Sequence, residues 1–425
     1  MDKETKTIAP KRSESITDKR SESNVIETAF QRIQLPSFEE TCFSNKPYVK
    51  YGEQNAFPTF LQDLANRSAL HNAILSSKVD YAYADGLKLS DDKPNLSTVL
   101  FVNHPNPFED MNSIYRKCLY DYILYGAFCL NVIWSNDGES ICEIYHIDVA
   151  KIRSGKRNAR GVVEEYFYCE DWNKAAPRYK PVSAYRNDNR QGSQLLYFKE
   201  YRPGTFYYAL PSYVGALNYI TIDAEISNYH LAHLLNGMSP NFIISFTNGV
   251  PSDEERRRIK QQMIEEYTGT DNAGKFIMTF TDDPAKVPVV NTLSADNLDE
   301  QFTQLSEQVL QNILSGHKVV SPMLVGIKTE GQIGGNTELE TSFEIFYNTV
   351  IKPIQKDVIS QLNKLLRETK GWSGNELEPT TATPISFTWS EGTLSQILTV
   401  DEMRERIGLE PITEEIEENN EVNNE

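Results

Sequence analysis

Apolar residues between Ser294 and Leu366 return with helical spacing, stop, and resume. Leu298, Phe302, Leu305, Val309 and Ile313 recur at steps of four, three, four and four, which is one face of an α-helix. The opposite face is acidic or amide-bearing: Asp296, Asp299, Gln301, Gln304, Glu307, Gln308 and Gln311. No Lys or Arg occurs from Val287 to His317. Pro322 and Gly316, Gly326, Gly331, Gly334 and Gly335 then interrupt the pattern, because proline and glycine break helices. A second periodic run starts at Thr337 and carries Leu339, Phe343, Tyr347, Val350, Ile354, Val358, Leu362 and Leu365.

The same reading predicts a helix over 57–80, on Phe60, Leu64, Leu70, Ile74 and Leu75, and another over 108–125, ended by Gly126. Two apolar runs, AFCLNVIW and SICEIYHI, flank Asn136-Asp137-Gly138, a strong hairpin signal. GVVEEYFYC (161–169) and QLLYFKEY (194–201) read as further strands. A helix over 215–236 carries Leu217, Ile220, Ala224, Ile226, Leu231 and Leu234. NFIISFT, KFIMTF and KVPVVNTL read as strands after it, and Ser252-x-x-Glu255 is a capping box that opens a helix running to about Thr268. Two long helices thus flank a compact αβ insert. The fold class expected is α+β.

The N-terminal stretch is polar, with KRSES at 11–15 and again at 19–23, and the segment from Thr413 is acidic. Both read as disordered, since neither has enough apolar surface to bury. A net charge of −18 argues against tight binding to a nucleic-acid surface, which requires Lys and Arg to displace counterions. It leaves room for a protein that surrounds DNA without gripping it. The five cysteines lack CxxC spacing and read as free thiols in a reducing compartment. The opening residues have no apolar core of a secretory signal. No run approaches the roughly 18 apolar residues that span a bilayer.

Gly269-Thr270-Asp271-Asn272-Ala273-Gly274-Lys275 matches the phosphate-loop spacing, but Phe276 stands where Ser or Thr is required. The order is also reversed, since the motif needs strand, loop, helix. His230 and His233 share a helical face, yet lack the third ligand of a metal-site pattern. His104-Pro105-Asn106-Pro107 reads as a rigid connection. Glu164-Glu165 and Glu414-Glu415 are adjacent, and strand neighbours point to opposite sides. Arg256, Arg257, Arg258 and Lys260 form the densest basic run, interspersed with Glu254, Glu255, Glu265 and Glu266. They are either a solvated face of intrahelical ion pairs or a docking surface.

Several segments together resemble the portal proteins of tailed phages, of the HK97-like type. They are YGEQNAFPTFLQDL with VDYAYADGLKL, NGMSPNFIISF with YTGTDNAGKFIMTF, LSADNLDEQFTQLSEQVLQNILSGHKVVSPMLVGI, GGNTELETSFEIFYNTVIKPIQKDVISQLNKLL with its interior Pro353, and LTVDEMRERIGLEP. The resemblance covers about residues 47–411. It implies a non-enzymatic ring subunit, usually of about twelve copies, at one capsid vertex, with double-stranded DNA passing through the bore. The implied parts are a disordered or extended arm (1–45), an α+β wing (46–214), a stem helix (215–238), a clip (239–293) and a second stem helix (294–317). A tunnel loop (318–336), a long wing helix (337–371), a short crown (372–412) and an acidic tail (413–425) follow. Glu300, Gln304, Glu307, Gln311, Lys318 and Lys328 would line the DNA channel. Gly326, Gly331, Gly334 and Gly335 would give the tunnel loop its mobility. Arg256, Arg257, Arg258 and Lys260 would dock the large terminase or the head–tail adaptor. Major capsid and scaffold proteins are further implied partners, with no cofactor, no metal and no membrane. The chain would reside in the virion, and in the host cytoplasm during assembly. The alternatives are a nucleotide-binding enzyme using Gly269–Lys275, or another capsid or adaptor protein.

Overall fold

The computed structural model describes residues 37–91, 93–235, 243–246, 252, 254–255, 257–258, 277–280, 298–327 and 336–380. Its centre is a six-stranded sheet of order β5-β4-β9-β8-β7-β6. The strands are β4 (Ala127–Trp134), β5 (Ile141–Ile147), β6 (Ile152–Ser154), β7 (Glu165–Tyr168), β8 (Lys180–Ala184) and β9 (Ser193–Lys199). All pairings are antiparallel except β8 with β9. β4 and β5 form the expected hairpin, with Gly138 at φ 71° in its turn. β4 runs Ala-Phe-Cys-Leu almost wholly buried, which fits a central strand covered on both faces.

Four helices precede this sheet in the chain, α1 (Phe57–Arg67), α2 (Ala69–Tyr83), α3 (Leu96–Asn103) and α4 (Met111–Tyr125); α4 packs on the sheet, and α1 and α2 pack on α4. The single helix expected over 57–80 is two, because Ser68 adopts an extended φ/ψ and caps α2 by accepting from the His71 amide. An N-cap side chain satisfies a helix N–H only from such a non-helical conformation. The helix expected over 108–125 starts at Met111, after its N-cap Asp110. Gly126 ends it at φ 76°, where an added Cβ would lie 2.6 Å from the Leu210 carbonyl oxygen, so both the left-handed conformation and the close approach require glycine. The short pairs β1 (Glu40–Cys42) with β2 (Val49–Tyr51), and β3 (Leu87–Leu89) with β12 (Leu377–Pro379), border this body.

α5 (Leu217–Leu235) and α6 (Leu298–Gly316) leave and re-enter the body as an adjacent pair. Between them, β10 (Ile243–Phe246) pairs in parallel with β11 (Ile277–Phe280). Parallel neighbours need a crossover, and residues 254, 255, 257 and 258 are helical in that interval. The capping box is present: the Ser252 amide donates to Glu255 Oε2 at 3.1 Å, and the Glu255 amide returns to Ser252 Oγ at 3.4 Å. The third expected strand, KVPVVNTL, lies outside the described residues.

The long helix after the loop is α7 (Asn336–Phe346), a π-helical turn (Tyr347–Ile351) and α8 (Lys352–Leu366). Pro353 accounts for the interruption. It offers no N–H, and its ring would clash with the carbonyl four residues back in a regular helix, so the chain widens just ahead of it. The segment expected as a free tunnel loop from residue 318 is docked in its first half. Pro322–Val325 is a 3₁₀ turn, Val319, Leu324 and Val325 are buried, and the Tyr81 hydroxyl donates to the Leu324 carbonyl at 2.6 Å. The helix does end where proline and glycine predict, but apolar side chains at 319, 324 and 325 hold the segment that follows against the body. The glycines at 331, 334 and 335 lie outside the described residues, as does the segment from 381 that includes most of the expected crown.

Candidate functional site: the paired helices and their root

At its root α6 packs against the 3₁₀ turn Val214–Ala216 that leads into α5. Gly316 lies against Ala216 so tightly that an added Cβ would be 2.4 Å from the Ala216 Cβ. Val309, Ile313 and Leu314 of α6 are buried there. Further along, the stripe loses its cover: residues 303–308 are all exposed, Leu305 included. Gln304, Glu307 and Gln311 are exposed, so the polar face predicted for the channel is open to solvent. Glu300 is helical in α6. Over residues 303–308 the acidic-or-amide face and the apolar Leu305 are thus both exposed in the single chain.

α6 ends in a Schellman turn. The Lys318 amide donates to the Ser315 carbonyl at 3.0 Å and the Val319 amide to the Leu314 carbonyl at 2.9 Å. Lys318 occupies the left-handed position at φ 58°, where glycine is the usual residue. This places the Lys318 side chain, exposed, beside a cavity of about 100 Å³ lined by Lys78, Tyr122, Ser212, His317, Thr349 and Asp357 among others. Lys328 lies outside the described residues.

Immediately below that turn is a buried polar chain that the sequence reading did not anticipate. Lys78 Nζ is 3.3 Å from His317 Nδ1, and His317 Nε2 is 2.9 Å from His71 Nδ1. Lys78, His71 and His317 are 2%, 0% and 1% exposed, and the Tyr213 ring stacks on His317. With Lys78 protonated, each group donates to the next, which leaves His71 Nε2 as a donor; that atom is buried and unpartnered. Burial, reinforced by Lys78, pushes the His71 imidazole down to about 3 and holds His317 well below its usual range. Burial, reinforced by Lys318, lowers Lys78 to about 7. One signal was in the sequence: Lys78 continues the stripe Ile74, Leu75, Val79, Ala82 of α2. The pairing of His71 with His317 had none, since the two are 246 residues apart.

A second polar link ties α5 to the α1–α2 corner. The Ser68 hydroxyl donates to Asp223 Oδ2 at 2.6 Å, and Arg67 bonds Glu225 at 2.5 Å and Asp63 at 3.0 Å. Both paired helices are therefore anchored to the N-terminus of α2, one through Asp223 and the other through His317.

Of the docking residues, Arg257 and Arg258 are exposed on the capped helix; Arg256 and Lys260 lie outside the described residues. Gly326 closes the 3₁₀ turn at φ 76°. His230 is exposed, and among the described residues no three His, Cys, Asp or Glu side chains gather as metal ligands. The Gly269–Lys275 stretch lies outside the described residues.

A family model described as phage portal protein matches residues 75–408. A probable portal protein of Escherichia phage P2 is 21% identical over 286 residues, covering 67% of this chain and 74% of the phage protein. An uncharacterized protein of Rickettsia bellii is 35% identical over 85 residues, which span 20% of this chain and only 22% of that protein. In solved structures, chains in the neck of an empty gene transfer agent particle and in its native virion share the fold. Their TM-scores are 0.53 and 0.51 at 16% identity, covering 84% of this chain and 94% of each of those. The α+β fold is thus shared with those chains, and the family match across most of its length places this chain in the phage portal protein family.

Proposed function

We propose that the chain is one subunit of a ring, of about twelve copies by the family resemblance, through which double-stranded DNA passes during packaging and ejection. The observation that carries this reading is the open face of α6. Gln304, Glu307 and Gln311 are exposed, and no Lys or Arg accompanies them from Val287 to His317. DNA carries one charge per ~1.7 Å of axis, so a bore lined with cations would hold it, whereas amides and carboxylates keep it centred and moving. A 19-residue helix is about 28 Å long at 1.5 Å per residue, enough for a conduit wall. Lys318 at the root supplies one cation per subunit for transient contact with phosphate.

Replacing Glu300 and Glu307 with Lys tests the lining. Rings of normal shape that package DNA at the wild-type rate would remove these residues from the bore; slowed transit in intact rings is the expected result. In this reading the large terminase or the head–tail adaptor docks on the capped helix through Arg257, Arg258 and their basic neighbours Arg256 and Lys260. Reversing Arg257 and Arg258 to Glu then lowers terminase association, most at low salt, while equal affinity at all salt concentrations would reduce the run to a solvated face.

A further inference from the structure

The six-stranded sheet ends in two chemically opposite edges. Around β6, β7 and β8 the surface is basic and aromatic. Residues 151–210 hold twelve Lys or Arg against six Asp or Glu, in a chain of net charge −18. Lys156, Arg157, Arg160, Lys174, Arg178 and Lys180 are exposed. Among the described residues none of these six forms an ion pair. Phe206 and Tyr201 lie on the neighbouring loop at 57% and 85% exposure, with the Arg157 guanidinium over the Phe206 ring at 5.3 Å. The lobe is rigid. It has its own small core of Tyr48, Phe167, Cys169 and Trp172, and the fully buried Arg153 bonds Asn55 at 2.6 and 2.8 Å beside it.

The β5 edge has the reverse character. Glu139 and Glu143 lie on the β4–β5 hairpin, next to Asp137, which has Lys370 in its field. Beside them are apolar side chains with no cover: Leu96 at 70%, Leu100 at 54% and Phe108 at 85% exposure. Both neighbours are tied to this edge, Phe108 through Asn106, which donates to the Ile144 carbonyl at 2.8 Å, and α3 through Asn95, which donates to the Gly371 carbonyl at 2.7 Å.

Resting on the ring reading above, we propose that the β6–β8 lobe and the β5 edge are the two halves of a head-to-tail contact between neighbouring copies of this chain. A contact between two different patches of one molecule generates a ring when its rotation closes. Each half brings what the other lacks: arginine and aromatic side chains, the types enriched at interface centres, against exposed leucine, phenylalanine and carboxylates. Each half alone is an exposed apolar patch that a free chain would leave wet.

Charge swapping tests this pairing. One variant reverses the lobe (Lys156→Glu, Arg160→Glu, Lys180→Glu), a second reverses the edge (Glu139→Lys, Glu143→Lys), and a third carries all five changes. Ring fraction is read by sedimentation and negative-stain imaging at low salt. Each single-edge variant should lose ring formation by about tenfold or more, because it meets its own like charge. An equimolar mixture of the two should recover rings of alternating subunits, and the five-change chain should assemble alone. Wild-type assembly by either single-edge variant, or a mixture and a five-change chain that stay unassembled while folded by circular dichroism, overturns the pairing. Unchanged rings that lose retention of a labelled DNA duplex when the lobe is reversed overturn it too, and assign the lobe to nucleic acid. A wild-type chain that never forms rings contradicts the ring reading instead, before any variant is made.

Discussion

Lys78 sits where the stripe of α2 calls for an apolar residue, and its surroundings make the protein's stability depend on pH in an unusual direction. Its folded value is about 7 against 10.5 for the free side chain, so between those limits the unfolded chain binds more protons. Stability then rises with pH over that window, the reverse of ordinary alkaline loss. His71, at about 3 against 6.5, acts by the same sign lower down: stability falls as pH drops from 6.5 toward 3. Denaturant midpoints measured from pH 5 to pH 9 should climb throughout, and Lys78→Met should flatten the portion above pH 7. A flat or falling profile above pH 7 in the unmodified chain would show that Lys78 is not buried as described. No residue-level reading of the sequence reaches this network. The lysine's place on the stripe was visible, but its partner is supplied by the end of a helix more than two hundred residues away.

At the scale of elements, legibility followed length. The paired helices, the long helix after residue 336, the β4–β5 hairpin and the capping box at Ser252 are all present, because each carries many turns of periodicity or a specific turn signal. The misses are short or interrupted. β6 and β8 have three and five residues, too few to alternate visibly. α3 is apolar on several sides, so no stripe marks it. The π turn before Pro353 and the break at Ser68 come from single residues that redirect an otherwise continuous pattern. The docking of 319–325 is a tertiary effect: a proline- and glycine-bearing stretch is held down by three buried side chains. The contact between the end of α6 and the turn that leads into α5 offers the sharpest element-scale test. Gly316→Ala drives a methyl into Ala216 and should cost about 1–3 kcal/mol by overpacking. Adding Ala216→Gly should return most of that loss in thermal or denaturant unfolding. A neutral Gly316→Ala would mean the end of α6 and the turn before α5 do not approach at this point.

For the whole molecule, one body anchors two helices that project from it, and both anchors converge on the first turn of α2. The polar face of α6 proposed for the channel was legible from the sequence as a pattern, since an absence of Lys and Arg over thirty residues needs no structure to be seen. Its exposure was not, because a stripe such as Leu298–Ile313 ordinarily predicts burial along its full length. Only Val309 and Ile313 are shown buried, while Leu305 is bare. In the proposed ring, such positions on α6 and on both edges of the sheet are covered by neighbouring copies of the chain. Negative-stain imaging of the purified protein, supported by its mass in solution, addresses that claim most directly. The account predicts closed rings with a central hole wide enough for a DNA duplex. A 48.4 kDa species at every concentration and salt tested, or closed particles without a hole, would contradict it.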